Sequence, residues 1–194
     1  MQARSSWVLA AVCCLATVLP TASGHAEKKA DIAALFAAAE AAGRVGSARK
    51  TKLVDARPAQ TGEVVVTIIA GQGKETKSAP AEPGDVVVRN RCPETGNEEF
   101  LVSAAKFAER YEGPVGAEAS GGWKPFRPKG VELLYFVVSN ADGDFIFVAP
   151  WGEPMRARPG DAIVRDPKDA KDTYRVARAA FACTYEVLKP AKVE

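Results

Sequence analysis

One passage of this chain is written twice. Glu82-Pro83-Gly84-Asp85-Val86-Val87-Val88-Arg89-Asn90 returns as Arg158-Pro159-Gly160-Asp161-Ala162-Ile163-Val164-Arg165-Asp166. Further on, Phe107-Ala108-Glu109-Arg110-Tyr111-Glu112 returns as Phe181-Ala182-Cys183-Thr184-Tyr185-Glu186. Counting back from each Phe, Phe100 matches Tyr174 and Val102 matches Val176, with two residues fewer in the second copy. A repeat restricts the architecture more than any local propensity does, because each copy must solve the same packing problem. The repeated parts are a Pro-Gly turn, a β-branched run and a Phe-Tyr pair, so the unit is small and β-rich.

The ends decide the address. Residues 7–19 run without a charge after a start whose one cation is Arg4, and small residues follow Pro20 in Thr21-Ala22-Ser23-Gly24-His25-Ala26. These are the three parts of a secretory signal peptide, with cleavage expected after Gly24 or Ala26. Thirteen residues are too few to span roughly 30 Å of hydrocarbon. With Arg4 gone, the 26 Lys and Arg become 25, against 24 Asp and Glu. That balance lacks the basic excess of a nucleic-acid binder and the polybasic stretch of a membrane-surface protein. No integral membrane segment is expected after cleavage, and the location expected is periplasmic or secreted.

The chain divides into a signal peptide (1–26), an N-terminal helix and polar connector (27–61), a first Pro-Gly-Asp module (62–112), a Gly- and Pro-rich linker (113–130) and a second module (131–194). In 27–43, Ile32, Leu35, Phe36 and Ala39 fall at helical spacing between Asp31 and Gly43. The β-branched run at 62–70 reads as a strand closed by Gly71 and Gly73. Pro83-Gly84 and Pro159-Gly160 suit the central positions of a type II turn. Asn140-Ala141-Asp142-Gly143-Asp144 reads as a hairpin turn joining 131–138 to 145–148. The fold class expected is α+β, mainly β: two tandem small β-rich modules, each ending in a short helix, after an amphipathic N-terminal helix.

The residues Pro83-Gly84-Asp85 and Pro159-Gly160-Asp161, each with Phe-x-x-x-Tyr-Glu downstream, resemble the small bacterial and phage domains of the PGDYG type. The likeness covers about thirty residues per copy. Tyr is absent from the fourth position of both, where Val86 and Ala162 stand. The resemblance implies an architecture and no catalytic residues.

Composition excludes several chemistries. The one histidine, His25, lies beside the expected cleavage site. A mature chain without His has no Ser-His-Asp triad, no Cys-His pair and no His-based zinc site. Ala70-Gly71-Gln72-Gly73-Lys74 misses the phosphate-loop pattern, because Ile68 and Glu75 stand where Gly and Ser or Thr are needed. Ser-x-x-Lys occurs at Ser47–Lys50 and Ser103–Lys106, a spacing that on a helix lets an amine take the Ser proton. No catalytic residue, cofactor or metal is expected.

The remaining candidates are polar residues and two aromatics. Asp85 with Arg89 and Asp161 with Arg165 lie four apart, and Glu112 and Glu186 close the copies. They either line a shared groove for an anionic or polar ligand, or serve the scaffold, Asp tethering the turn backbone and Arg pairing with the Glu of its own copy to staple helix to strand. Cys92 and Cys183, one per copy at non-equivalent places, either bridge the copies or stay apart. Trp123 and Trp151 sit in segments outside the repeat, where binding residues concentrate. The function expected is that of an exported, non-catalytic binding or structural protein of the bacterial cell envelope, its partner an unidentified protein or a small polar ligand. Trp123, Trp151, Arg89 and Arg165 are the candidate binding residues. The alternative is a small periplasmic hydrolase or transferase using carboxylates or a Ser-Lys pair.

Overall fold

The computed structural model describes residues 28–118 and 120–193. The export segment expected at 1–26 lies outside them. The described chain is α+β and mainly β. Helix α1 (Ile32–Ala41) opens it, capped by the Asp31 carboxylate, which accepts from the Ala33 and Ala34 amides. Then come β1 (Gly46–Lys50), β2 (Val54–Pro58), the hairpin of β3 (Val66–Ile69) and β4 (Gly73–Lys77), β5 (Val86–Asn90), β6 (Glu99–Val102), α2 (Ala104–Arg110) and β7 (Tyr111–Glu112). A second run follows in the same order. It comprises β8 (Lys124–Pro128), β9 (Glu132–Val137), the hairpin of β10 (Phe145–Val148) and β11 (Pro154–Ala157), β12 (Ala162–Asp166), β13 (Asp169–Val176), α3 (Arg178–Thr184) and β14 (Tyr185–Lys189).

Two antiparallel five-stranded sheets result, in the orders β6-β5-β2-β8-β7 and β13-β12-β9-β1-β14. They correspond strand for strand. The strand that opens each run, however, lies in the other run's sheet. β1 runs between β9 and β14, with Ala48 opposite Leu133 and Val187. β8 runs between β2 and β7, with Phe126 opposite Val54 and Pro128 opposite Tyr111. β1 fits only because Gly46 has no side chain: a Cβ there would run into backbone atoms of Lys189 and Ala191.

The repeated residues build the same joints twice. Gly84 and Gly160 have φ of 91° and 92°, the left-handed conformation that a type II turn demands of its third residue. The Asp85 carboxylate accepts from the Glu82 amide (2.9 Å) and from the Ala104 amide at the start of α2 (3.1 Å). Asp161 does the same with the amides of Arg158 (2.9 Å) and Arg178 (3.0 Å). Each Asp thus ties its turn to the helix beginning about twenty residues later. Under each sheet the Phe-Tyr pair stacks, Phe107 on Tyr111 at 5.1 Å and Phe181 on Tyr185 at 4.9 Å. On the other face of the second sheet, Phe36 of α1 joins Phe136, Phe145, Met155 and Ile163 in a separate buried cluster.

Several sequence expectations are corrected. The connector at 44–61 carries β1 and β2, and the linker at 113–130 carries β8. These strands set small or isolated apolar residues (buried Ala48 and Ala56, half-buried Phe126) among charges and prolines, so they lack the β-branched signature of a strand. The run at 62–70 is strand only over β3. The expected hairpin between 131–138 and 145–148 does not form: β10 pairs with β11, and β9 pairs with β1 and β12. Asp142 turns the chain away there, accepting from the Ser139 amide and hydroxyl and pairing with Arg44 at 2.6 Å.

The two Asp residues differ in one respect. Asp161 also accepts from Arg175 Nε at 2.8 Å, and both side chains are buried. Asp85 accepts only backbone amides among the described residues. Asp161→Ala is therefore expected to cost about 3–4 kcal/mol, since it strands part of a buried guanidinium, and Asp85→Ala about 1–2 kcal/mol, the loss of a cap. Urea denaturation of both variants measures the difference; equal losses would count against this account.

Candidate functional site

β6 and β13 are edge strands of their sheets, and they face a common cleft of about 690 Å³. The hairpin β3–β4, residues 78–80 and the tip of hairpin β10–β11 close its other sides, while α2, β7 and α3 contribute Arg110, Tyr111, Ala180 and Thr184. Three clusters of polar residues, two of them spanning both runs of the chain, hold this shape.

The first centres on Arg175 of β13. Its Nε donates to Asp161, Nη1 to Glu75 Oε1 (2.6 Å) and Nη2 to Gln72 Oε1 (2.6 Å). One guanidinium thereby fastens hairpin β3–β4 onto the second sheet, and Ile69 of that hairpin packs on Ala177 and Ala180. Two carboxylates share this one cation. Burial pushes the Glu75 carboxyl up to about 7, against the pull of Arg175, and the Asp161 charge adds to the rise.

The second cluster centres on Arg110 at the end of α2. It reaches the other sheet, donating to Asp172 (2.7 Å), Asp166 (3.2 Å) and the Tyr174 hydroxyl (3.0 Å). Lys106, one turn earlier, pairs with Asp172 at 3.0 Å. Burial pushes the phenols of Tyr111 and Tyr185 up, so both stay neutral.

The third is Lys50, the last residue of β1. Its Nζ donates to Asn90 Oδ1 at 2.6 Å and stands 5.0 Å over the Phe100 ring. Asn90 in turn donates to Glu98 at 2.6 Å, and Glu98 also accepts a short bond from Thr95. Burial pulls the Lys50 amine down to about 8; Glu98 opposes this and Arg110 reinforces it.

Trp151 stands at the cleft with its Nε1 donating to Thr76 Oγ1 at 3.1 Å, its ring 6.3 Å from Tyr174. Trp123 lies elsewhere. It is buried beside Val65 and Val87 with the guanidiniums of Arg89 (4.2 Å) and Arg57 (5.2 Å) over its ring. Arg89 also pairs with Asp55 at 3.5 Å, and Arg165 stacks 3.7 Å over Phe36 and pairs with Glu40. Neither Arg meets the Glu that closes its copy. Glu112 pairs with Arg127 and Glu186 with Arg49, each on the neighbouring strand from the other run. All four are exposed and none lines the cleft.

Of the sequence candidates, then, the cleft gathers Trp151, Asp85, Tyr111 and Tyr185. Ser103 and Lys106 also line it, but the Ser103 hydroxyl caps α2 and Lys106 is held by Asp172. Ser47 and Lys50 lie on a strand, where a spacing of three puts them on opposite faces. Cys92 and Cys183 meet at disulfide separation, with Cα atoms 6.0 Å apart, joining the segment after β5 to α3. A bridge across 91 residues of sequence restricts the unfolded chain by about 4–5 kcal/mol. Glu94 stands 3.3 and 3.4 Å from the two sulfurs; with both sulfurs bonded to each other, this trio is not a cation site.

Glu75, Arg110 and Arg175 escaped the sequence reading as site residues, and Lys50 entered it only through its Ser-x-x-Lys spacing. A signal existed for two of them: aligned on the repeat, Arg175 stands opposite Leu101 and Arg110 opposite Thr184. Compared with known protein families, with curated proteins and with solved structures, the chain matches none.

The Glu75 carboxyl sets a pH dependence. Folded, it keeps a proton that the unfolded chain, at about 4.5, releases, so its contribution to stability is greatest below pH 4.5 and falls as pH rises through about 7. The full swing is about 3 kcal/mol. Glu75→Gln is expected to flatten the stability profile between pH 4.5 and 7 and to raise stability at pH 8. Denaturant midpoints measured across that range test it, and an unchanged slope would refute the assignment.

Proposed function

We propose that this is an exported, non-catalytic protein of the bacterial cell envelope that holds a small ligand in the cleft between its two sheets. It consists of two related β-rich modules that have exchanged their opening strands, preceded by the α1 helix, and the likeness to PGDYG-type domains belongs to this reading. The observation that carries the binding proposal is the cleft itself. Its volume of about 690 Å³ lies within the ordinary range of small-molecule sites, and a mostly apolar wall with a few placed polar groups is the usual composition of such sites. Phe100, Val102, Met155 and Val176 supply apolar wall, while Lys50, Lys106 and Arg110 supply polar ends. Among the described residues no helix is long and apolar enough to cross a membrane. The hydrolase or transferase reading draws no support from Glu112 and Glu186, which are exposed and ion-paired, or from Ser103 and Lys106, whose polar groups are engaged elsewhere.

The two tryptophans separate binding from packing. Trp151→Ala is expected to leave stability within about 1 kcal/mol of the parent, because the residue is 38% exposed, while Trp123→Ala costs about 3–4 kcal/mol. With the neutral apolar probe N-phenyl-1-naphthylamine, one equivalent should bind and Trp151→Ala should weaken it at least fivefold. No saturable binding by the parent would overturn the cleft reading. The export proposal has its own measurement: the intact mass of protein recovered from the producing bacterium should lack residues 1–24 or 1–26, and a retained Met1 would overturn it.

A further inference from the structure

Among the described residues two cations lining the cleft have no carboxylate partner, Lys171, which is exposed, and Lys50, whose amine is buried. Arg110 has Asp166 and Asp172, Lys106 has Asp172, and Arg175 has Asp161 and Glu75. Among the described residues no carboxylate comes within ion-pair distance of Lys50 Nζ, whose hydrogen-bond partner is the neutral amide of Asn90. It stands where the opening strand of the first run reaches the second sheet, between the Phe100 ring and the backbone of its register partner Tyr185. At the equivalent place in the other sheet, opposite Tyr111, the chain has Pro128. Nothing in the shared scaffold therefore requires an amine here.

The surroundings select among ligands. Near this end of the cleft the cations Lys50, Lys106 and Arg110 face the carboxylates Glu98, Asp166 and Asp172, so the local charge is balanced without a ligand. A carboxylate or phosphate would add charge with no counterion beyond Lys50 and would sit near Glu98. A neutral acceptor would not. Donors are in excess as well: two of the three protons of Lys50 lack a partner on the protein, and the buried Nε of Arg110 has none. The complement is a neutral carbonyl oxygen on an apolar body that fills the space beside Phe100, Tyr174 and Trp151.

We propose that Lys50 captures such a carbonyl covalently: an aldehyde with an apolar, aromatic-sized body enters the cleft and condenses with Lys50 Nζ to an imine. The unprotonated nitrogen adds to the carbonyl carbon and the C=O electron pair moves to oxygen. Loss of that oxygen as water, carrying the two former amine protons, leaves the C=N bond; no electron donor or acceptor is needed. Capture requires the free amine, and burial favours that form. Around pH 7.5 the fraction of free amine at Lys50 exceeds that of an ordinary exposed lysine by a factor on the order of 100. The proposal rests on the cleft as a ligand site.

The test uses the mature protein at pH 7.5 with 2-naphthaldehyde and cyanoborohydride, which reduces an imine to a stable secondary amine, followed by peptide mass mapping. The adduct is expected on Lys50 at least tenfold in excess over the exposed Lys52 and Lys74, and excess 2-naphthalenemethanol, which fits the cleft but cannot condense, should suppress it. Lys50→Gln should abolish that adduct and leave those on other lysines unchanged; should this variant not fold, the distribution over lysines in the parent protein decides alone. Labelling spread evenly over the lysines, or labelling of Lys50 that the alcohol does not suppress, overturns the proposal. Quenching of Trp151 fluorescence by the alcohol distinguishes the two levels. If the alcohol binds and Lys50 is not selectively trapped, the amine proposal falls and the cleft stands; if neither occurs, both fall.

Discussion

In each sheet a central or near-edge strand comes from the other run of the chain, and the remaining geometry follows from that crossing. β1 is followed after only three residues by β2, yet the two belong to different sheets; β8 and β9 repeat the arrangement. Removing β8 would leave β2 as a bare edge and β7 with nothing to pair, and removing β1 would do the same to β9 and β14. An unpaired row of backbone groups in a sheet interior is costly, so neither sheet is complete without the other run. The two sheets therefore cannot drift apart as ordinary tethered domains do. The cleft between β6 and β13 inherits that rigidity.

Within this frame the two halves carry unequal energetic loads. The joints that repeat are inexpensive and local: a Pro-Gly turn, an Asp bonded to backbone amides, a stacked Phe-Tyr pair. The joints that do not repeat are buried ion pairs reaching across the cleft, Arg175 to Glu75 and Arg110 to Asp166 and Asp172. Burying a charge costs several kcal/mol even when it is paired, and apolar residues of similar size commonly serve stability as well or better. Leu101, opposite Arg175 in the repeat, is such a residue. The shift of Glu75 to about 7 is the visible residue of this cost, since one guanidinium cannot fully support two carboxylates out of water. Polar contacts placed where apolar ones would hold the fold as well serve to fix the position of a wall.

How much of this was legible in the sequence depends on the distance over which the cause acts. The turns were legible because Pro and Gly encode φ locally, and the tether of Asp85 and Asp161 to the turn followed from their position beside it. The aromatic pairs were legible as the repeated Phe-x-x-x-Tyr pattern. β1, β2 and β8 were not, since a strand such as Gly46-Ser47-Ala48-Arg49-Lys50 derives its stability from neighbours on both sides and not from its own side chains. Pairing Arg89 with Glu112 and Arg165 with Glu186 assumed that each copy folds on itself. The exchange of strands gave those Glu residues new neighbours, Arg127 and Arg49, and left the two Arg residues to stack on Trp123 and Phe36. Trp123 and Trp151 looked alike in sequence because both stand outside the repeat, and only the packing of Arg57 and Arg89 over Trp123 separates them.

Symmetry explains why the site escaped a search through repeated residues. The last residue of the crossing strand meets the tyrosine of a Phe-Tyr pair in both sheets: Pro128 meets Tyr111, and Lys50 meets Tyr185. The backbone places both side chains alike, so the scaffold is indifferent to which residue is present. Proline at that position adds rigidity and no chemistry. Lysine adds an amine in a cleft wall, held by one amide oxygen and displaced toward its neutral form by burial. The proposed capture by Lys50 thus falls at a position where the fold tolerates either residue and only one of the two corresponding strands carries an amine there.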